Sequence, residues 1–176
     1  MKDKLSEILK EIEETFREAL WERGEFRGQT YLIIRSREIL KDLIRFLKDK
    51  GFNHLQTLTA VDYINLRKNP RFEVVYELYN LNERIALRLR VQVPEEDLSL
   101  ESITDLFPGA NFLEREVFDL FGIIFKGHPN LKRILLPENW KGHPLRKDYP
   151  LEPEEKPEDF IKLKELKKRL EEYGIK

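Results

Sequence analysis

His128 and His143 stand in identical Gly-His-Pro triplets, and Glu116 and Asp119 lie a short way upstream. Imidazoles and carboxylates are the side chains that bind zinc or pass protons near neutral pH, so these four residues raise the first chemical question. Their spacing argues against both uses. No His-x-x-x-His or His-Glu pair shares one element, and each histidine precedes a proline that holds it in extended geometry. Arg115 stands four residues before Asp119, where it can simply ion-pair. A metal or acid/base enzyme built on these residues is therefore the weakest of three readings. A second reading uses the basic residues near Trp140 and Tyr149 to hold nucleic acid, but the aromatics do not line a strand face as an RNA-binding sheet requires. The third reading takes residues 126 to 153 as an arm that lies across a protein neighbour.

That third reading draws on composition. Residues 126 to 150 carry Lys126, Lys132, Arg133, Lys141, Arg146 and Lys147 against Glu138 and Asp148, a local charge of +4 in a chain whose net charge is -1. Six of the nine prolines fall between 129 and 157, so the stretch is stiff and extended and is not expected to bury itself. Interleaved Leu131, Ile134, Leu135, Leu136, Trp140 and Leu145 require cover, and a long ordered loop in a compact chain is usually functional.

The elements that must position this arm are legible upstream. Leu5, Ile8, Leu9, Ile12, Phe16 and Leu20 recur at helical spacing. "TYLIIR" (30 to 35) reads as a strand, with Ser36 as N-cap of a helix ending at Gly51, and "HLQTLTAVDY" (54 to 63) as another strand. "RFEVVYELYNL" and "RIALRLRVQV" alternate with period two. A turn centred on Asn82 and Glu83 sets Phe72, Val74, Tyr76 and Leu78 opposite Val93, Val91, Leu89 and Leu87, and Glu77 opposite Arg88 as an exposed cross-strand pair. In "NFLEREVFDLFG" Asn111 caps a short helix with Glu114 closing a capping box and Gly122 ending it, while Arg115, Glu116 and Asp119 face outward or toward a partner. The expected fold is α+β: two layers, a mixed, largely antiparallel sheet covered by helices, an extended arm and a final helix. The expected division is a core over 1–125, the arm over 126–153 and a C-terminal helix over 154–176, with Leu163, Leu166, Leu170 and Tyr173 on one stripe.

Composition excludes several classes. With 176 residues the chain suits a single core, and 40% hydrophobic with 37% charged residues is the balance of a globular domain. The apolar run "LFGIIF" is too short to span a bilayer, and "MKDKLSEILKEIEE" has no signal-peptide core, so a cytosolic chain without membrane insertion is expected. The sequence has no cysteine, which removes disulfides, thiolate catalysis and Cys-ligated zinc or iron–sulfur sites from this chain.

The run "EREVFDLFGIIFKGHPNLKRILLPENWKGHPLRKDYP" (114 to 150) resembles the signature of the thirty-kilodalton subunit of respiratory complex I, the C subunit of bacterial NADH:quinone oxidoreductase. "TLTAVDY" (57 to 63) and the paired strands extend the likeness over most of the chain. Related modules occur in energy-converting hydrogenase and formate hydrogenlyase complexes. The resemblance implies a subunit of a proton-pumping enzyme, not itself catalytic, that binds no cofactor. FMN and iron–sulfur clusters then belong to other subunits. It further implies a peripheral position on the cytoplasmic side of the membrane, with the arm on the forty-nine-kilodalton subunit beside the quinone-reducing region. Glu114, Arg115, Glu116, Asp119, His128, Arg133, His143, Arg146, Lys147, Asp148 and Tyr149 are the expected partner-interface residues, fixing the arm and its contacts. The family often has Trp and Tyr where this chain has Phe112 and Phe118.

Overall fold

The computed structural model describes residues 2–66, 69–151 and 158–173. The chain has an α+β fold. Helix α1 (Lys2–Thr15) buries Ile8, Leu9 and Ile12, the inner part of the stripe read from the sequence. Leu20 lies outside that helix. It opens a strand that the pattern did not announce, β1 (Leu20–Phe26), whose "LWERGEF" has the charge and glycine content of an edge strand rather than apolar alternation. Gly24 is needed there because a Cβ would run into the Tyr31 hydroxyl lying across it. The hairpin to β2 (Gln29–Ile34) turns at Arg27 and Gly28, both with left-handed φ (50° and 78°), which matches the twist of the strands they join.

Helix α2 (Leu40–Asp49) buries Leu40, Leu43, Ile44 and Leu47. Ser36 does not cap it: the helix starts four residues later, and the Ser36 hydroxyl instead donates to Glu38 at 2.7 Å. Strands β3 (His54–Asp62), β4 (Phe72–Asn80) and β5 (Ile85–Val93) follow, giving the order β1-β2-β5-β4-β3, with β2 and β5 parallel and the other neighbours antiparallel. The β4/β5 register is the one the alternation demands, Phe72 on Val93 through Leu78 on Leu87 and Glu77 on Arg88. The Asn80 carboxamide oxygen accepts the N–H groups of Asn82 and Glu83 and so shapes the turn.

Phe72, Val74, Tyr76, Leu78, Leu87, Leu89, Val91 and Val93 form the helix-covered face and join one core with α1 and α2. The opposite face is a charged ladder. Glu77 accepts from both Arg88 and Gln29, and Glu73 from Arg90, which also donates to Tyr63. The Glu77 and Arg88 side chains retain 10% and 32% of their exposure, so the pair is half-buried and not exposed. After β5 the chain forms a short β6 (Ser99–Glu101), helix α3 (Ala110–Phe121) and β7 (Ile124–Lys126), which pairs parallel to β6. Helix α3 packs against β3 and contributes Ala110, Val117 and Phe121 to the core. Helix α4 (Glu158–Glu172) comes last and leaves Leu163, Leu166, Leu170 and Tyr173 exposed. Residues 152–153 of the expected arm, and 154–157 and 174–176 of the expected C-terminal helix, lie outside the described residues.

Candidate functional site

Helix α3 holds the arm by its backbone. Asp119 is fully buried, and its Oδ2 accepts the N–H groups of Ile134, Leu135 and Leu136 at 3.0, 2.8 and 2.9 Å, while Oδ1 accepts Arg133 at 2.7 Å. Burial alone would raise the Asp119 pKa, but the Leu136 amide, Arg133 and the other two amides outweigh it and hold the carboxyl below its usual range. Arg133 reaches on to the carbonyls of Trp140 and Gly142 at 3.0 and 3.1 Å, so one guanidinium ties two parts of the arm to the helix. Arg115 does not pair with Asp119. Its guanidinium donates to the carbonyls of Lys132 and Arg133, each at 3.1 Å.

The helix end is built to receive the second Gly-His-Pro corner. Gly122 caps α3 with φ 76°, and a Cβ there would meet the His143 ring at 2.5 Å and the Arg146 guanidinium at 2.6 Å. His143 Nδ1 lies 2.9 Å from the Asp119 carbonyl, which can only accept, so Nδ1 carries the proton. Burial pushes the His143 pKa below its ordinary value, against the Asp119 carbonyl and with the neighbouring arginines Arg146 and Arg133. The Leu145 N–H donates to the Leu120 carbonyl at 3.1 Å and Arg146 Nε to the Phe121 carbonyl at 2.7 Å, so the arm satisfies carbonyls at the end of the helix. Tyr149 covers Gly142, where a Cβ would meet its ring at 2.7 Å, and its hydroxyl donates to the Lys141 carbonyl at 3.2 Å.

A third anchor went unread in the sequence. Arg71, at the mouth of the β3/β4 hairpin, is 2% exposed. Its Nε and Nη2 grip Asp62 at 3.0 and 2.8 Å, its Nη1 donates to Glu95 at 2.6 Å, and its Nη2 also meets Asp148 at 2.8 Å. Asp62 accepts the Lys147 N–H at 2.9 Å across 85 positions of sequence. The guanidinium groups of Arg71 and Arg146 both lie over the Phe72 ring, at 4.7 and 5.4 Å from its centroid. One of 32 Lys and Arg residues, Arg71 carried no local mark; the single hint was Asp62 inside "TLTAVDY".

The arm therefore does bury part of itself against its own domain, because α3 and Asp62 offer partners to amides and carbonyls that its extended, proline-rich backbone leaves unpaired. Several expected interface residues act from within. Glu114 and Asp119 are fully buried, so neither presents a side chain to a neighbour. No capping box forms: Gly109 precedes α3 without a side-chain cap, and Glu114 accepts the Ile103 N–H at 2.8 Å and the Ser102 hydroxyl at 2.7 Å. Glu116 is half-buried on the same helix and, among the described residues, takes no part in pinning the arm. His128 spends both ring nitrogens on its own backbone, Nε2 on the Asn111 carbonyl at 3.1 Å and Nδ1 on the Asn130 N–H at 3.0 Å. Among the described residues no three His, Asp or Glu side chains converge as a metal would require, and no helix is long and apolar enough to cross a membrane.

The arm's outer side is different in kind. Leu135, Leu145 and Leu151 are 61%, 49% and 102% exposed, and Lys132 and Lys147 are exposed beside them. An ordered backbone thus presents isolated apolar side chains and cations outward.

Comparison with known proteins gives this arrangement relatives. The sequence profile of the family described as respiratory-chain NADH dehydrogenase, 30 Kd subunit, matches residues 33–155. The C subunit of NADH-quinone oxidoreductase from Roseiflexus sp. (strain RS-1) is 48% identical over 151 residues, 84% of this chain and 85% of that protein. NADH-quinone oxidoreductase subunit 5 of Thermus thermophilus is 48% identical over 126 residues, 68% of this chain and 61% of that protein. Among solved structures, a trypsin-resistant fragment (1–134) of Nqo5 is 38% identical with a TM-score of 0.65, covering 73% of this chain and 99% of the fragment. A chain of the membrane-bound sulfane sulfur reductase, an archaeal respiratory membrane complex, shares the fold with a TM-score of 0.70 at 24% identity, over 92% of this chain and 91% of that one.

Proposed function

Because the chain belongs to the family of the thirty-kilodalton subunit of the respiratory-chain NADH dehydrogenase, we propose that it is a non-catalytic peripheral subunit of a proton-pumping NADH:quinone oxidoreductase whose arm docks on the forty-nine-kilodalton-like subunit. The observation that carries this reading is the division of labour along the arm. Its backbone and the side chains of Asp119, Arg133, His143 and Arg146 are spent on the chain's own domain, while Leu135 and Leu145 stay exposed at 61% and 49%. Single exposed leucines are ordinary on a surface, but on a backbone already fastened to its own domain they are held ready to be covered by a neighbour, and that is the use this reading gives them. Arg115, His128, Lys147, Asp148 and Tyr149 support the contact from the arm's edges. Iron–sulfur clusters reside on other subunits, since this chain offers no cysteine ligand, and the FMN of the parent complex is placed on other subunits with them. This subunit sits peripherally on the cytoplasmic side of the cell membrane as part of a membrane-bound complex, without inserting into the lipid.

The test is capture of a co-expressed forty-nine-kilodalton-like subunit. Leu135→Asp with Leu145→Asp should weaken capture by about tenfold or more, as loss of a central apolar contact does. The melting temperature should stay near that of the unmodified chain, because both residues face outward. Undiminished capture by the double variant overturns the docking surface. Co-purification with a nickel–iron hydrogenase large subunit instead of an NADH-oxidising module overturns the choice of parent enzyme.

A further inference from the structure

Asp62 ends β3, Arg71 directly precedes β4 and Asp148 belongs to the arm, yet the three form one linked unit with Arg71 and Asp62 buried at its centre. The Asp62–Arg71 contact is bidentate, with both side chains at 2% exposure or less, and the Asp148 side chain closes on it from outside at 50% exposure. Burial alone would raise the Asp62 pKa, but Arg71 and the Lys147 and Ile64 amides outweigh it and keep the carboxyl below its usual range. Asp148 is likewise held low, by Arg71 first. A guanidinium buried among Asp62, Glu95 and Asp148 is a fixed charge whose fork dictates where each carboxylate sits.

We infer that Arg71, oriented by Asp62, is a positioning residue that clasps the turn 145–149 against the domain and so sets the arm in its docking shape before any partner arrives. This rests on the docking reading above. Two features make the clasp a latch for the arm and not merely a brace for the sheet. The Lys147 amide shares Asp62 Oδ2 with Arg71 Nη2, and the Asp148 carboxylate shares Arg71 Nη2 with Asp62, so both arm groups bond the very atoms of the ion pair at the mouth of the β3/β4 hairpin. Arg146, between the fastened residues and Leu145, is stacked on the same Phe72 ring as Arg71 and bonded to the Phe121 carbonyl, so the turn is held from both sides. Leu145 is consequently displayed by a rigid turn. A partner that meets a preset turn need not order it, and apparent affinity falls in proportion to the fraction of chains in which the turn is set.

The experiment uses the full chain without partner and reads amide hydrogen exchange by segment. Asp148→Ala removes the arm's carboxylate from the clasp, keeps the Lys147 N–H on Asp62 and leaves Arg71 paired with Asp62 and Glu95, so folding is preserved. Arg71→Met removes the core half. Asp148→Ala should speed exchange across 145–149 by about tenfold or more while strands β4 and β5 keep their protection, and Arg71→Met, which leaves Asp62 buried without its cation, should speed it further on top of a lower overall stability. Tryptic cleavage after Arg146 and Lys147 should rise in parallel. Capture of the forty-nine-kilodalton-like subunit should weaken by a similar factor, because apparent affinity scales with the fraction of chains in which the turn is set. Unchanged exchange over 145–149 in Asp148→Ala overturns the inference, as does loss of protection over arm and core together in that variant. If the unmodified chain shows a protected turn but captures no partner, the docking reading fails and the clasp stands.

Discussion

Asp119 and Glu114 lie five residues apart on one helix, both without solvent contact, yet their surroundings drive their protons in opposite directions. Asp119 faces three backbone N–H groups and a guanidinium and is held ionised. Glu114 has only the Ile103 amide and Ser102 hydroxyl to offset its burial, which lifts its pKa from an ordinary 4.5 to about 7. A carboxyl raised in the folded state contributes stability that is complete below its unfolded pKa and is lost as pH climbs through the folded one. The chain should therefore lose stability between pH 4.5 and 7 through Glu114, a shift of that size corresponding to roughly 3 kcal/mol. In Glu114→Gln that dependence should vanish: the amide oxygen still accepts from Ile103, and the amide nitrogen can donate to the Ser102 hydroxyl. Urea unfolding at pH 5 and pH 8 measures both; a parallel decline in the Gln variant assigns the slope to other groups.

Among elements, the β4/β5 hairpin and the arm illustrate different kinds of legibility. The hairpin register follows from period-two alternation alone, because a slip by one residue would turn every apolar side chain away from α1 and α2. Its charged face was read as weaker than it is, since neither strand reveals that Gln29 from β2 joins Glu77 and Arg88. Glu77→Lys should accordingly cost about 1–3 kcal/mol, beyond the range of an exposed pair, because it leaves Arg88 and Gln29 without their shared acceptor. Adding Arg88→Glu should recover part of the loss, with a coupling of about 1 kcal/mol in a double-mutant cycle by urea unfolding. Additive single effects would mean the two side chains do not share one network. Helix α3 and its Gly122 terminator are legible in the sequence, but its charged side, which the pattern turns outward or toward a partner, faces the chain's own arm. Helical periodicity states which residues share a face and says nothing of what later lies on that face, here the returning arm.

For the whole molecule, the arm arginines separate folding from assembly less cleanly than their place in a basic, proline-rich stretch implies. Arg146→Ala removes a bond to the Phe121 carbonyl and a stacked cation from Phe72, so it should destabilise the free chain by about 1–3 kcal/mol. Calorimetry should register this as a lowering of the melting temperature by a few degrees or more. Outward Leu145→Asp should leave that temperature nearly unchanged, and equal shifts for both would place Leu145 inside. What the sequence by itself determined is whatever neighbours in the chain decide: the alternating strands, the stripe of α1, the glycine that ends α3, the lack of thiol ligands and, through a long contiguous signature, the family. Only the tertiary structure decided which charges meet. Asp62 reaches Lys147 across 85 positions, and Arg71 selects Asp62, Glu95 and Asp148 from 33 acidic residues. An ion pair has no periodicity. Its partners are set by where loops converge once the sheet has closed and by which charges lose their water there, and neither is written in the residues on either side.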